Sequence, residues 1–257
     1  MSKCYIGITG PASKYEVISI VNEFEKAGFN LKSKHIPMLG FLISYKTLNG
    51  QISDNKRYPK FYELKNLIEV SNKKVFPMIH YNSRDKDSLH EQVERLFDGL
   101  YKDNLCRAVQ LNIIYPPVDE LMRIKKKMPD LQIVFQASST MLKPDLVNRI
   151  KEYGFLIDYV LIDPSGGKGR EFNLEKSVKI YNQFKEKTNY MIGFAGGFNG
   201  ENVSRRVSDL INVIGNDDFF IDAEGGLRDK ISNAYGDDLL NISKVSKYLS
   251  EAAKVLL

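Results

Sequence analysis

The sequence predicts an α/β protein that folds as one (β/α)8 barrel, a TIM barrel, over residues 1–257. The chain has 257 residues, and such barrels form a single domain of about 250 residues. Short runs rich in β-branched and aromatic residues alternate eight times with longer amphipathic segments. No linker, low-complexity tract or break in composition divides the chain. The same alternation also suits an open, doubly wound sheet, which is the alternative fold.

The first half of the chain contains four predicted strands and the helices that follow them. A helical pattern begins at Ser13 or Lys14 and ends at Gly28, with apolar residues three and four positions apart between them. A polar loop over residues 46–57 separates the second strand from its helix. The predicted strands are residues 4–11, 35–45, 75–80 and 108–114, and the later helices include residues 62–68, 89–97 and 118–124.

The second half repeats this pattern to the end of the chain. Pro144 suits the first turn of the helix after the fifth strand, because its fixed φ is helical and that turn needs no N–H from it. We expect Asn199 or Gly200 to open the helix after the seventh strand. The remaining predicted strands are residues 132–137, 159–163, 191–195 and 219–222, and the last helix carries Ile242, Val245, Leu249, Ala252 and Ala253.

Composition and charge narrow the class of protein. The apolar fraction of 43% and the charged fraction of 27% are typical of a globular protein. The net charge of +5 comes mostly from lysines scattered along the chain. An alternative class, a nucleic-acid or protein adaptor, would require that lysines 73–74 and 125–127 cluster on one face. The chain has no signal pattern and no apolar run near the ~20 residues that span a bilayer. The sequence therefore predicts a cytoplasmic monomer or homodimer with no membrane or nucleic-acid partner.

Glycine is concentrated after the sixth, seventh and eighth predicted strands. Several converging backbone N–H groups can hold a phosphate, and glycine lets the backbone approach a ligand without a Cβ in the way. In (β/α)8 barrels the loops after strands seven and eight often bind phosphate. The alternative is that these glycines only form tight turns. The candidate phosphate-binding residues are Gly166, Gly167, Gly169, Gly196, Gly197, Gly225 and Gly226.

Polar residues at strand ends are the candidates for catalysis, because active sites of such barrels lie at the carboxyl ends of the strands. Asp163 and Asp222 each end an apolar strand, where a carboxylate could meet a ligand, and Asp222 is a candidate substrate-binding residue. Desolvation there would also raise a carboxyl pKa and suit acid–base work. Each could instead orient a neighbouring loop. His80 is the histidine at a predicted strand end, whereas His35 begins a strand and His90 lies on a helix. No histidine or cysteine spacing indicates a metal site, and no cofactor is expected.

Several segments together resemble the phosphoribosylanthranilate isomerase family. They lie in the family's order along the chain, and the resemblance is most specific in the last third: residues 6–9, 109–111, 166–172, 195–203 and 221–226. The resemblance implies a (β/α)8 barrel that catalyses an Amadori rearrangement of a phosphorylated ribosylamine in tryptophan biosynthesis, without a cofactor. It also implies a closing helix over residues 237–256.

The family's functional residues map only in part onto this chain. The resemblance makes Asp163 the general acid, assigns the glycine-rich loops to the substrate phosphate, and makes Arg57 the candidate ligand of the anthranilate carboxylate. Ile6 stands where the family has its catalytic cysteine, and an aliphatic side chain cannot accept a proton. His80 and Cys4 are the candidate substitutes, although Cys4 would lie about 6–7 Å deeper along the strand than Ile6.

Two hypotheses follow from this partial match. The chain is an isomerase-like enzyme acting on a phosphorylated sugar derivative, or it is a non-catalytic barrel that binds such a ligand and has lost the base. A base beside Asp163, such as His80 or Asp222, would favour the enzyme. An apolar barrel mouth lined by Ile6, Met38 and Phe41 would favour the binding protein.

Overall fold

The computed structural model of the chain describes residues 3–71, 73–112, 115–164, 173–234 and 236–257. Eight parallel strands pair in sequence order, and the eighth pairs with the first, so the sheet closes into a barrel. This confirms the predicted (β/α)8 fold and rules out the open sheet. The barrel strands are β1 Tyr5–Thr9, β2 Ile36–Ser44, β3 Phe76–Asn82, β4 Ala108–Asn112, β5 Gln132–Ser138, β6 Tyr159–Asp163, β7 Met191–Ala195 and β8 Phe220–Ala223.

Helices follow each strand and cover the outside of the barrel. An additional helical turn follows β2, and short 3-10 segments occur at Phe61–Glu63, Lys151–Leu156 and Gly225–Leu227. The α-helices are α1 Lys14–Lys26, α2 Tyr45–Leu48, α3 Leu64–Val70, α4 Leu89–Leu96, α5 Val118–Lys127, α6 Leu146–Ile150, α7 Leu174–Lys187, α8 Val203–Ile214 and α9 Ile242–Leu256.

Local side-chain chemistry sets the start of α1 as the sequence predicts. The Ser13 side chain accepts a hydrogen bond from the Glu16 amide, and the Glu16 side chain accepts one from the Ser13 amide. This reciprocal cap satisfies two of the amides that a helix start leaves without partners. Gly28 follows the helix with a φ of 91°, a left-handed conformation that suits glycine.

Several predicted boundaries are wrong, and three of them have a clear local cause. The loop at residues 46–57 begins with the helical turn α2, because Ser44 and Thr47 cap it reciprocally. The helix α8 begins at Val203, because Asn199 and Asn202 form a capped turn before it. The closing helix begins at Ile242 and not at residue 237, because β10 (Asp238–Leu240) pairs with β9 (Arg228–Lys230) as a hairpin after β8.

The alternation of side chains along the strands separates two apolar layers. One face of each strand packs against the helices, and Ile6 and Phe41 belong to this outer layer. The other face fills the barrel, where the Tyr5 and Phe220 rings lie 4.2 Å apart between centroids, next to Met38. Ile6 and Phe41 therefore do not line the barrel mouth, and Met38 lies in the apolar floor below it.

Gly193 shows how closely that floor is packed. A Cβ on this residue of β7 would lie 2.2 Å from a ring carbon of Phe220, well inside van der Waals contact. Because Gly193 has no side chain, the Phe220 ring can fill this part of the barrel interior. In the part of the chain that the structure describes, no helix is long and apolar enough to cross a membrane.

We expect Gly193→Ala to lower the free energy of unfolding by about 1–3 kcal/mol, because the new methyl group must displace the Phe220 ring in a packed core. Urea denaturation measures the change. Ser139→Ala, on an exposed loop, is the control and should leave the free energy of unfolding within about 0.5 kcal/mol of wild type. Equal stability of both variants would contradict the packing argument.

Candidate active site at the carboxyl end of the barrel

Above the apolar floor, the barrel interior becomes polar towards the carboxyl ends of the strands. Polar side chains from six of the eight strands form one connected group there. All of them are buried, and buried polar groups need hydrogen-bond partners to avoid a desolvation cost. The group comprises Thr9, His80, Gln110, Gln136, Asp163 and Asp222.

Hydrogen bonds run from Asp163 across the neighbouring strands to His80. The Gln136 amide nitrogen donates to Asp163 Oδ2 at 2.6 Å, so the Gln136 oxygen faces the other way. That oxygen accepts from the Gln110 amide nitrogen at 3.2 Å. The same Gln110 nitrogen lies 3.3 Å from His80 Nδ1. Each contact orients the next side chain along the group.

This chain of contacts also assigns the tautomer of His80. An amide nitrogen only donates, so His80 Nδ1 accepts from Gln110 and the ring proton lies on Nε2. Burial without a neighbouring anion lowers the pKa of His80 to about 3, so the imidazole is neutral. Its Nε2 and Gln110 Oε1 have no hydrogen-bond partner among the residues that the structure describes. They are one donor and one acceptor that face the barrel interior.

Asp222 lies on the other side of the mouth, at the seam where β8 closes onto β1. The Thr9 hydroxyl donates to its Oδ1 at 3.0 Å and to its Oδ2 at 3.1 Å. Gly7 makes room for the carboxyl group, because a Cβ there would lie 2.6 Å from Asp222 Oδ1. Desolvation raises the pKa of Asp222 well above its usual value, and the charges of Glu224 and Asp163 raise it further. Asp163 and Asp222 are therefore close enough to interact electrostatically.

Gly40 makes similar room on β2. A Cβ on Gly40 would lie 2.5 Å from Thr9 Oγ1 and 2.7 Å from His80 Nε2. The imidazole and the hydroxyl group thus occupy the volume that a side chain on β2 would fill. Two glycines on adjacent strands, Gly7 and Gly40, allow Thr9, His80 and Asp222 to meet inside the barrel.

A buried cluster of ion pairs lies beside Asp222, between the loops after β1, β2 and β8. Arg57 and Arg228 both bind Asp238, Arg57 through Nε at 3.0 Å and Arg228 through Nε at 2.5 Å. Arg57 Nη1 also donates to Glu224 Oε1 at 2.5 Å. Burial raises the pKa of Glu224, and the charges of Arg57 and Arg228 oppose that rise. Arg228 further donates to the Gly10 carbonyl at 3.3 Å, which links the cluster to the loop after β1.

The glycine pairs after β7 and β8 lie against each other. Gly196 and Gly197 have φ values of 118° and 67°, which glycine adopts without strain. Outside the strand and helix ladders, their amides donate to no described residue. A Cβ on Gly226 would lie 2.2 Å from the Phe198 carbonyl oxygen, so the loop after β8 packs directly on the loop after β7. Gly225 precedes that contact, and Arg206 Nη1 holds the Gly196 carbonyl at 2.9 Å.

The structure thus brings most of the sequence candidates to one end of the barrel. Asp163, Asp222 and His80 lie within the polar group, and Arg57 lies beside it. Cys4 lies at the opposite, amino-terminal end, where its Sγ is 3.8 Å from Met191 Sδ and burial raises its pKa to about 11. Gly166, Gly167 and Gly169 lie outside the described residues.

Sequence reasoning did not select several residues that the structure adds to this region. Gln110 lies between Val109 and Leu111, and its place on the inner face follows from the alternation of a strand. That signal was available in the sequence. No sequence pattern indicated Asp238 or Arg228. Their hairpin contacts Arg57, which lies far away in the sequence, only once the barrel has closed.

Together, these observations define a (β/α)8 barrel with a buried polar group at the carboxyl end of its strands. Solved structures similar to this chain include phosphoribosyl anthranilate isomerase from Thermotoga maritima, with a TM-score of 0.65 and 14% identity over 98% of this chain and 99% of that chain. Phosphoribosyl anthranilate isomerase from Thermus thermophilus gives a TM-score of 0.63 and 13% identity, over 97% of this chain and 98% of that chain.

The alpha subunit of tryptophan synthase from Legionella pneumophila gives a TM-score of 0.60 and 12% identity, over 99% of this chain and 93% of that chain. At these identities the similarity shows the fold alone. No family model and no curated protein matches the sequence.

The low pKa of His80 gives its contribution to stability a defined pH dependence. Below pH 6.5 the unfolded chain protonates this imidazole, whereas the folded chain stays neutral down to about pH 3. We expect wild type to lose stability relative to His80→Gln as the pH falls from 6.5 to 4, by at most about 1.4 kcal/mol per pH unit. Urea denaturation at each pH measures the difference, and the other titrating groups cancel in it. Parallel stability curves would contradict the assignment.

Proposed function

We propose that this protein is a cofactor-independent isomerase that converts a phosphorylated aldose derivative into the corresponding ketose form by an Amadori-type rearrangement. The pairing of Asp163 and Asp222 carries the proposal. Both carboxyl groups are buried at the polar end of the barrel, on β6 and β8, and the pKa of Asp222 is raised mainly by desolvation, with added contributions from the charges of Glu224 and Asp163. Two interacting carboxyl groups can divide the roles of general acid and general base.

In this mechanism Asp163 protonates the ring oxygen of the sugar, which opens the ring, and Asp222 accepts the proton from C2. The resemblance to the isomerase family supports the acid role of Asp163. Desolvation raises the pKa of Asp222, which makes its carboxylate a stronger base than that of an exposed aspartate. Thr9 holds both Asp222 oxygens and thereby orients the base.

In this proposal Asp222 replaces the family's cysteine as the general base. Ile6, at the family's cysteine position, packs on the outer face of β1 and does not enter the site. His80 is buried and nearly non-basic, so we assign it to positioning and hydrogen bonding of the ligand and not to proton abstraction. Cys4 is at the other end of the barrel and has no part in the proposed reaction.

The substrate phosphate is proposed to bind the loops after β7 and β8, with Gly196, Gly197, Gly225 and Gly226 as the backbone cradle. Outside the strand and helix ladders, the amides of Gly196 and Gly197 donate to no described residue, and Gly226 contacts the neighbouring loop closely; both observations support this placement. The resemblance adds Gly166, Gly167 and Gly169 to the cradle. The two isomerases of similar fold make tryptophan biosynthesis the first pathway to test.

We expect Asp163→Asn and Asp222→Asn each to lower kcat by about 10²–10⁴-fold, because each removes one partner of the proton transfer. A coupled fluorescence assay with freshly generated phosphoribosylanthranilate, followed by other phosphorylated glycosylamines, measures turnover. Asp130→Asn, whose side chain is 67% exposed, is the matched control and should leave kcat unchanged. Turnover that survives both site variants would overturn the assignment.

If wild type turns over no substrate in this set while phosphate still raises its melting temperature, the barrel is a binding protein and not an isomerase.

We expect Gly226→Ala to weaken the binding of inorganic phosphate by about tenfold or more, because the new Cβ would force the two glycine loops apart. The measurement is the shift in melting temperature that phosphate produces, which separates binding from any change in stability of the free protein. Asn233→Ala, on the exposed β9–β10 turn, is the control. A phosphate-induced shift equal to that of wild type would place the phosphate elsewhere.

A further inference from the structure

Two buried polar atoms at the carboxyl end of the barrel have no hydrogen-bond partner among the described residues. They are Nε2 of His80 and Oε1 of Gln110, on the neighbouring strands β3 and β4. His80 is 4% exposed and Gln110 is 3% exposed, so bulk water hardly reaches either side chain. Unpaired polar atoms are costly inside a protein, and they call for a ligand or an ordered water that supplies the missing bond.

The two atoms have opposite hydrogen-bonding character. Gln110 Nε2 donates to Gln136 Oε1 at 3.2 Å and lies 3.3 Å from His80 Nδ1, so Nδ1 accepts and the ring proton lies on Nε2. His80 Nε2 is therefore a donor, whereas Gln110 Oε1 is an acceptor. Burial lowers the pKa of His80 to about 3, so the pair is uncharged.

The donor of this pair lies on the side of Asp222. A Cβ on Gly40 would lie 2.7 Å from His80 Nε2 and 2.5 Å from Thr9 Oγ1, so these two atoms adjoin the same point inside the barrel. Thr9 Oγ1 in turn donates to Asp222 Oδ1 at 3.0 Å. The imidazole is thus one side chain away from the proposed general base.

The acceptor of the pair is connected to Asp163. Gln136 joins Gln110 to the Asp163 carboxyl group through hydrogen bonds of 3.2 Å and 2.6 Å. The strand order places β3 and β4 between β1 and β6, on the side of the barrel that carries these contacts. The donor and the acceptor therefore lie between the two carboxyl groups of the proposed reaction.

A hydroxyl group is the part of a sugar that fits such a pair. It accepts one hydrogen bond through its oxygen and donates another through its proton. A carboxylate oxygen cannot donate to Gln110 Oε1, and an ammonium group cannot accept from His80 Nε2. Of the hydroxyl groups on an aldose derivative, the one at C2 is attached to the carbon whose proton Asp222 accepts in the proposed reaction.

We propose that His80 and Gln110 bind the C2 hydroxyl group of the substrate, with His80 Nε2 donating to its oxygen and Gln110 Oε1 accepting from its O–H. The inference rests on the proposed function and leaves its acid–base pair unchanged. By fixing the C2–O bond, the two residues direct the C2–H bond towards Asp222. They also make the barrel specific for sugars that carry this hydroxyl group.

An ordered water also donates and accepts, so it is the other group that meets both requirements. The two cases differ in how the protein treats its ligands. A binding site for a hydroxyl group discriminates against a ligand that lacks the hydroxyl, whereas a structural water that stays in place does not.

A matched pair of stable, open-chain ligands tests the proposal. Borohydride reduction of ribose 5-phosphate gives ribitol 5-phosphate, and the same reduction of 2-deoxyribose 5-phosphate gives a ligand that lacks only the hydroxyl group at C2. We expect wild type to bind ribitol 5-phosphate at least about tenfold more tightly by titration calorimetry, because the deoxy ligand leaves both buried atoms unpaired.

Two variants locate the source of this preference. His80→Phe and Gln110→Leu each remove one member of the pair, and each should reduce the preference to within about threefold, because one hydrogen bond to the hydroxyl group remains. The readout is the ratio of the two dissociation constants, so a weakening common to both ligands cancels. Asn189→Leu replaces an exposed amide before β7, at the opposite end of the barrel, and as the control should keep the preference.

The comparison in wild type needs no variant, so a folding defect in either variant cannot hide the result. Equal affinity of wild type for the two ligands would assign the pair to a structural water and overturn the inference, while leaving the isomerase proposal standing. A preference that both variants keep would also overturn it. Binding of neither ligand would contradict the proposed function itself, and the inference with it, because that function requires a phosphorylated sugar chain to enter the barrel.

Discussion

The closure of β8 onto β1 is the contact on which both the fold and the candidate site depend. The register there pairs Gly7 with Asp222, and the side chain of Thr9, two residues further along β1, donates to both Asp222 oxygens. Backbone hydrogen bonds at this seam remove the sheet edge, and the same register carries a carboxyl group into the barrel. Because Gly7 has no side chain, the acid fits where a larger residue would exclude it.

The hydrogen bonds at the polar end of the barrel fix the orientation of each side chain. The Gln136 amide nitrogen donates to Asp163, so the Gln136 oxygen is left to accept from the Gln110 amide nitrogen. The same Gln110 nitrogen donates to His80 Nδ1, so the proton of the neutral His80 ring lies on Nε2. Among the described residues, His80 Nε2 and Gln110 Oε1 have no hydrogen-bond partner, and burying such groups is costly. Such local cost is expected where a protein keeps polar groups ready for a substrate.

The ion pairs around Arg57 change the chemistry of the mouth. A lone arginine after β2 would attract a ligand anion, but in this cluster Arg57 is neutralised by its ion pairs with Asp238 and Glu224. Buried ion pairs of this kind add little net stability, because desolvation offsets their Coulomb attraction. Their value lies in holding the loops after β1, β2 and β8 in one arrangement around Asp222.

The sequence by itself determined the barrel, the order of its strands, and Asp163 and Asp222 as polar strand ends, because hydrophobic periodicity and strand termini are local properties. Only the tertiary structure decided what these residues touch. The neutral state of His80 depends on burial, and the ion pair of Arg57 with Asp238 joins groups more than a hundred residues apart. Hydrogen bonds, desolvation and charge pairing act through space, so they become visible only once the barrel has closed.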